Sequence, residues 1–231
     1  MNGTRQRILD TARALFNERG VHRVAVRDLA RALGLSPGNL AYHFRTKDDL
    51  VSALAMELHE LDARTIFAGL PERISLADLY ASAVAAMRNM LSYRFVLLDF
   101  TDAVRASPPL QKLAIELRGR RFRRHLALVD ALVRSGSLDR RRIAPRTEII
   151  FEQGELIASG WLAAAVLRGW HDDEAAVLHF AKVGLALLEP HCTPRGVREL
   201  RRILAGACDA PSKSRKSTPA KPARRSPRRE P

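Results

Sequence analysis

The run Gly34-Leu35-Ser36-Pro37 stops one helix and starts another with almost no chain between them, which confines the two to a tight angular pair. Glycine just past a last apolar position takes the left-handed conformation without a Cβ clash. Ser36 is placed to cap the second helix, and Pro37 takes the first helical position, where a missing N–H costs nothing. Before the turn, Leu29, Ala30 and Leu33 recur at i, i+1 and i+4 over 27–33; after it, Leu40 and Phe44 recur at i and i+4 over 37–44. Gly38, Asn39, Tyr42 and His43 are left facing outward. This is helix-turn-helix geometry: one helix crosses a duplex backbone, and the next lies in the major groove with its N-terminal residues at the base edges.

A third helix start follows at once. Thr46 and Asp49 form a capping pair, and Lys47 sits in the first turn, where it can reach a phosphate. The stretch LARALGLSPGNLAYHFRTKDDL resembles the DNA-binding signature of the TetR family of bacterial one-component transcriptional regulators, in its Leu-Ala pair, its Gly-Leu-Ser turn and its Tyr-His-Phe run followed by a lysine. The resemblance covers residues 5–52 and thins beyond residue 60 to an echo at 89–105. Two positions depart from the family pattern. Ala41 stands where the family has an aromatic residue, and Ala25 and Val26 stand where it has capping threonines, so the 27–33 helix must be capped from elsewhere or be weaker by about 1 kcal/mol.

The contacts to DNA divide by chemistry. Arg27, Pro37, Gly38, Asn39 and Tyr42 are placed for base edges, with Arg27 suited to guanine and Asn39 to adenine, while Ser36 holds the reading helix at its start. Tyr42, His43, Thr46 and Lys47 are placed for phosphates. Two such heads on a homodimer imply a palindromic operator whose half-sites lie roughly 34 Å apart, or a multiple of that.

With 231 residues, 46% of them apolar, the chain can fill one helical body behind this head. No apolar run approaches a membrane span and the first residues carry charges, so the expected location is the bacterial cytoplasm, on the nucleoid when DNA-bound, with no membrane partner. The net charge of +14 is uneven: +4 over 1–50, +3 over 51–209 and +7 over 210–231, so the basic excess belongs to the two ends. Cys192 and Cys208 have no metal-ligand spacing, the seven histidines are scattered, and no Gly-rich phosphate loop follows a strand. No catalytic residue, metal site or cofactor is expected, and the chain does not read as an enzyme. His43 is explained by the DNA reader, and His125, His171, His179 and His191 read as solvated or hydrogen-bonded side chains.

The expected architecture is all-α: a three-helix head over 1–48, a helical effector-binding and dimerisation body over 49–208, and a disordered basic tail over 209–231. The first helix runs from Thr4 to Gly20 on a stripe of Ile8, Leu9, Ala12, Leu15 and Phe16. The helix opened by Thr46 continues along Leu50, Leu54, Leu58 and Leu61 until Gly69 and Pro71, linking head to body; the resemblance implies that it carries the effector's signal. Further helices follow over 76–91, 95–105 and 108–136, then a polar loop at 137–145, then helices over 146–168, 173–188 and from Thr193-Pro194 to near Cys208. Arg118, Arg120, Arg121, Arg123 and Arg124 read as a solvated face. The helices at 146–168 and 173–188 are apolar around most of their circumference, which calls for cover by a second subunit in a four-helix interface, and the resemblance points to the same pair.

For a small-molecule effector, Arg88, Asp99, Asp102 and Gln153 stand out as polar residues in apolar stretches, although the three charged ones also read as members of ordinary surface or buried ion pairs. The expected function is a dimeric repressor released from its operator by that effector. The alternative is a DNA-binding protein without a small ligand, whose body serves only dimerisation or a protein partner. The tail reads either as a solubilising terminus or as an arm for nonspecific phosphate attraction.

Overall fold

The computed structural model describes residues 2–66 and 72–206. They form α1 (Asn2–Arg19), α2 (Val26–Leu33), α3 (Pro37–His43), α4 (Lys47–Thr65), α5 (Leu76–Leu91), α6 (Arg94–Leu98), α7 (Phe100–Ala106), α8 (Pro108–Arg134), α9 (Arg140–Ile143), α10 (Thr147–Leu167), α11 (Asp173–Ala186) and α12 (Pro194–Ala205). Single 3-10 turns lie at Ala144–Arg146 and Glu189–His191. The fold is all-α; one isolated antiparallel bridge, Leu138 with Cys192, ties two loops together. The expected breakers Gly69 and Pro71, Cys208 and the basic tail lie outside the described residues.

Caps fix most of the boundaries. Ser36, Thr46, Ser75, Ser107 and Thr193 each accept a backbone N–H three residues on. Three segments differ from expectation. The stretch expected as one helix over 95–105 breaks at Asp99, whose ψ of −13° at φ −123° interrupts the helical run and separates α6 from α7. The polar loop at 137–145 contains α9, because the Asp139 carboxylate accepts from the Arg141 N–H at 2.8 Å and nucleates a turn. The helix α4 stops at Thr65, before Gly69: the Ile66 N–H still closes onto the Asp62 carbonyl, but Ile66 itself leaves helical dihedrals.

The core has three clusters. Ile8, Ala12 and Phe16 of α1 bury Leu29, Leu40 and Phe44, and the same cluster runs along Leu50, Leu54 and Leu58 of α4 to Tyr93, Phe95 and Leu110. A second cluster gathers Leu76, Leu132, Leu138, Ile143, Ile150, Cys192 and Leu200. The third packs Val84 and Met87 of α5 against Trp161, Leu162, Val177 and Phe180. Because α8 contributes Leu110 to the first and Leu132 to the second, its rise places those clusters roughly 33 Å apart, at opposite ends of the body. The run 140–167 is long enough for a membrane crossing, and its most apolar 18-residue window has a mean hydropathy of 1.2. Its inner side, however, buries Phe151, Trp161, Leu162 and Ala165 against the rest of the fold.

Candidate nucleic-acid interface

Helix α3 is short, and it is held by its flanks and by its own buried Leu40. Gly34 at φ +66° ends α2 and lets Leu35 fold back, its N–H closing on the Ala30 carbonyl at 2.9 Å. The Ser36 hydroxyl accepts from the Asn39 N–H at 3.2 Å. Leu40 is fully buried and Phe44 nearly so, and the Arg5 guanidinium lies over the Phe44 ring, 4.9 Å from its centre. The missing threonine cap of α2 is replaced by half of a capping box: the Asp28 carboxylate accepts from the Ala25 N–H at 3.0 Å.

Outward from this support, Arg27, Ser36, Pro37, Gly38, Asn39, Tyr42 and Thr46 are all exposed or half-exposed and His43 is half-buried. Tyr42 is 84% exposed, the side chain stacked edge-on against the His43 ring at 5.3 Å. A large aromatic presented to water on a seven-residue helix has no packing role to explain it. Lys47 is placed differently from expectation. Its ammonium donates to the Val21 carbonyl at 3.0 Å and the Val24 carbonyl at 3.5 Å, so it pins the α1–α2 turn and has little left for a phosphate.

The head is bonded to the body at one seam. Asn17 donates to the Ser92 carbonyl at 2.9 Å and accepts from the Phe95 N–H at 3.1 Å. Arg13 donates to the Tyr93 hydroxyl at 3.0 Å, and that hydroxyl donates to Glu57 on α4, also at 3.0 Å. Phe16 meets Phe95 edge-on at 5.5 Å.

The four residues expected to orient an effector are not brought together. Arg88 pairs with Glu174 on the surface between α5 and α11. Asp102 is exposed, and Asp99 lines a cleft of about 370 Å³ between the end of α1 and α6. Gln153 is exposed on an outer stripe with Ile149, Leu156, Gly160, Ala163 and Leu167, at steps of three and four residues along α10.

A polar cluster that the sequence did not single out lies instead between α4, α5 and α8. Asn89 donates to Asp62 at 3.2 Å and to the Thr65 hydroxyl at 2.9 Å. Burial drives the Asp62 carboxyl up to about 6, against the opposing pull of the Asn89 hydrogen bond and of Arg124 and Arg121. Burial also lowers His59, with Arg124, Arg121 and Arg120 adding to the effect. Arg124, expected on a solvated face, is half-buried and falls below its usual range through the same desolvation, partly offset by Asp62. Its neighbours do behave as a surface: Arg118 and Arg121 pair with Glu155, and Arg120 with Glu116. The legible signal was Asp62 itself, an acid beside the Leu58-Leu61-Thr65 line of α4.

The family profile described as "Bacterial regulatory proteins, tetR family" matches residues 8–54, and the one described as "Bacterial transcriptional repressor" matches residues 60–200. The chain belongs to the TetR family. Among TetR-family relatives it is 27% identical over 196 residues to the HTH-type transcriptional repressor AcnR of Corynebacterium diphtheriae, a match covering 80% of this chain and 93% of that one. It is 37% identical over 57 residues to the HTH-type transcriptional regulator UidR of Escherichia coli, a match that covers 25% of this chain and spans only 29% of the length of UidR. A TetR-family transcriptional regulator from Marinobacter aquaeolei VT8 shares the fold with a TM-score of 0.74 at 24% identity, over 87% of this chain and 96% of that one. The family and these relatives are regulators, not enzymes.

Proposed function

We propose that this TetR-family chain is a homodimeric repressor that reads a palindromic operator with the exposed face of α3 and is released from it by a small molecule, working on DNA in the bacterial cytoplasm. The observation that carries this reading is the exposed Tyr42 face of α3, held rigid by the Ser36 cap and the buried Leu40. Arg27, Pro37, Gly38, Asn39 and Tyr42 meet the base edges; His43 and Thr46 hold the backbone, and Lys47 acts by fixing the turn that orients the head. The head occupies 1–48 and the body 49–208.

The second subunit covers the outer stripe of α10, where Leu156 is 73% and Leu167 87% exposed, with Gly160 and Ala163 allowing close approach. An effector enters between α4, α5 and α8 and engages Asp62, Asn89 and His59, replacing the hydrogen bond that Asn89 now donates to Asp62. It acts through α4, which carries Asp62 near one end and Lys47 at the other, some 22 Å away by helical rise. Release requires that the effector bind one head spacing better than the other.

Two linked measurements test this. Binding to a selected operator fragment should weaken on Arg27→Ala and on Tyr42→Ala with the dimer intact. A small molecule that raises the melting temperature should also lower operator affinity, and Asn89→Ala should abolish both effects together. Unchanged operator binding in both head variants contradicts the DNA reading; stabilisation with no change in operator affinity contradicts the effector reading.

A further inference from the structure

We infer that the end of the body farthest from the head is a second, sequence-independent DNA-binding surface, carried by Arg195, Arg198 and Arg202 of α12 with Arg141 and Arg146 beside it. The inference goes beyond operator reading and does not depend on it.

The placement of α12 follows from short contacts. The Glu199 carboxylate accepts from the Ala77 N–H at the start of α5, at 3.2 Å, and from the Ser137 hydroxyl after α8, at 3.3 Å. A Cβ on Gly196 would overlap the Ser137 carbonyl oxygen, so the helix is seated directly on the end of α8. Beneath it Leu200 belongs to the cluster with Leu132, whereas the head's cluster meets α8 at Leu110. The helix therefore lies roughly 33 Å along α8 from the head-side core.

The charge at this end is not self-cancelling. Most of its acids are already committed: Asp130 to Arg140, Asp139 to the α9 cap and Arg142, Glu189 to Arg201, and Glu199 to the two internal donors above. Among the described residues, Arg141, Arg146, Arg195, Arg198 and Arg202 are exposed and enter no ion pair, against two nearby acids, Glu72 and Glu148, whose carboxylates are uncommitted. Arg195, Arg198 and Arg202 also line one shallow cleft with Glu199. Holding the three α12 guanidiniums on one cleft is unfavourable by self-repulsion unless a polyanion meets them. Residues 207–231 follow this helix directly and add eight Lys and Arg against two acids in sequence.

Duplex phosphate fits better than a lipid surface or an acidic protein. The large apolar residues of α12, Val197, Leu200, Ile203 and Leu204, are buried or half-buried, so the outer face offers guanidiniums with no apolar anchor for lipid. Guanidiniums on one short helix, continued by a basic chain, suit a regularly spaced line of phosphates, which needs no shape-matched partner. A repressor with heads at one end and such a surface at the other can hold two duplex segments at once.

The test uses the full chain carrying Arg27→Ala and Tyr42→Ala, so that operator reading is silenced. Its affinity for a random-sequence duplex is measured against salt, alone and with Arg195→Gln, Arg198→Gln and Arg202→Gln added together. The glutamine set should weaken binding at about 50 mM salt by roughly tenfold and flatten the salt slope by about 0.9 for each phosphate left unneutralised. The corresponding Arg→Lys set, which keeps the charge, should retain binding, and on an intact head the glutamine set should leave operator affinity unchanged at about 200 mM salt. Unchanged duplex affinity and slope in the glutamine set would overturn the assignment, whatever the head variants do. So would arginine-dependent binding to phosphatidylserine-containing vesicles that exceeds binding to duplex.

Discussion

At the scale of single residues, two side chains carry most of the account. Tyr42 is exposed and adds nothing to the core, so Tyr42→Ala should leave stability within about 0.5 kcal/mol while weakening operator binding by roughly tenfold or more; melting curves and fluorescence anisotropy separate the two. Asp62 presents the opposite balance. Its folded-state carboxyl titrates at about 6, above its unfolded value of 3.8, so the folded chain binds the extra proton between those values. Stability from this group therefore falls as pH rises from about 4 to 6, and the full penalty is present at neutral pH. Asp62→Asn should raise the melting temperature at about pH 8 and change it little at about pH 4; an equal gain at both would show that the buried charge is not the cause. The exposed face of α3 was legible because capping, turn and apolar spacing are local, whereas Asp62, Asn89 and Arg124 meet from three helices and no local pattern joins them.

At the scale of elements, seams decide what moves with what. The Asn17 side chain closes two hydrogen bonds from α1 onto the α5–α6 junction, so Asn17→Ala should loosen the head, costing about 1 to 2 kcal/mol and raising amide exchange in α1 before exchange in α8. Gly196→Ala should destabilise α12 by about 2 kcal/mol or more, seen as a lower melting temperature, because the methyl meets backbone that cannot step aside. Helix boundaries were read well wherever Ser or Thr caps and a Gly or Pro punctuated the chain, as at Ser36, Thr46, Ser75 and Ser107. The break at Asp99 and the short α9 escaped because each is about one turn long, too short for a period to declare itself. Arg88, Asp99, Asp102 and Gln153 were chosen as polar residues in apolar runs, but Arg88 meets a surface carboxylate, and Gln153 shares an outer stripe with Leu156 and Leu167.

At the scale of the whole molecule, reading a palindrome needs two heads at fixed separation, which in the proposed dimer rests on the outer stripe of α10. Leu156→Glu with Leu167→Glu should place unpaired carboxylates in the subunit interface, yielding monomers by sedimentation and lowering operator affinity by roughly a hundredfold or more through lost bivalency. A variant that stays dimeric would move the interface elsewhere. The most direct measurement of the central claim is genomic-fragment selection with the purified full chain at about 150 mM salt, run in parallel on wild type and Tyr42→Ala. One palindromic motif should be enriched by the wild type and lost in the variant. Enrichment of unrelated fragments by both proteins would contradict the claim.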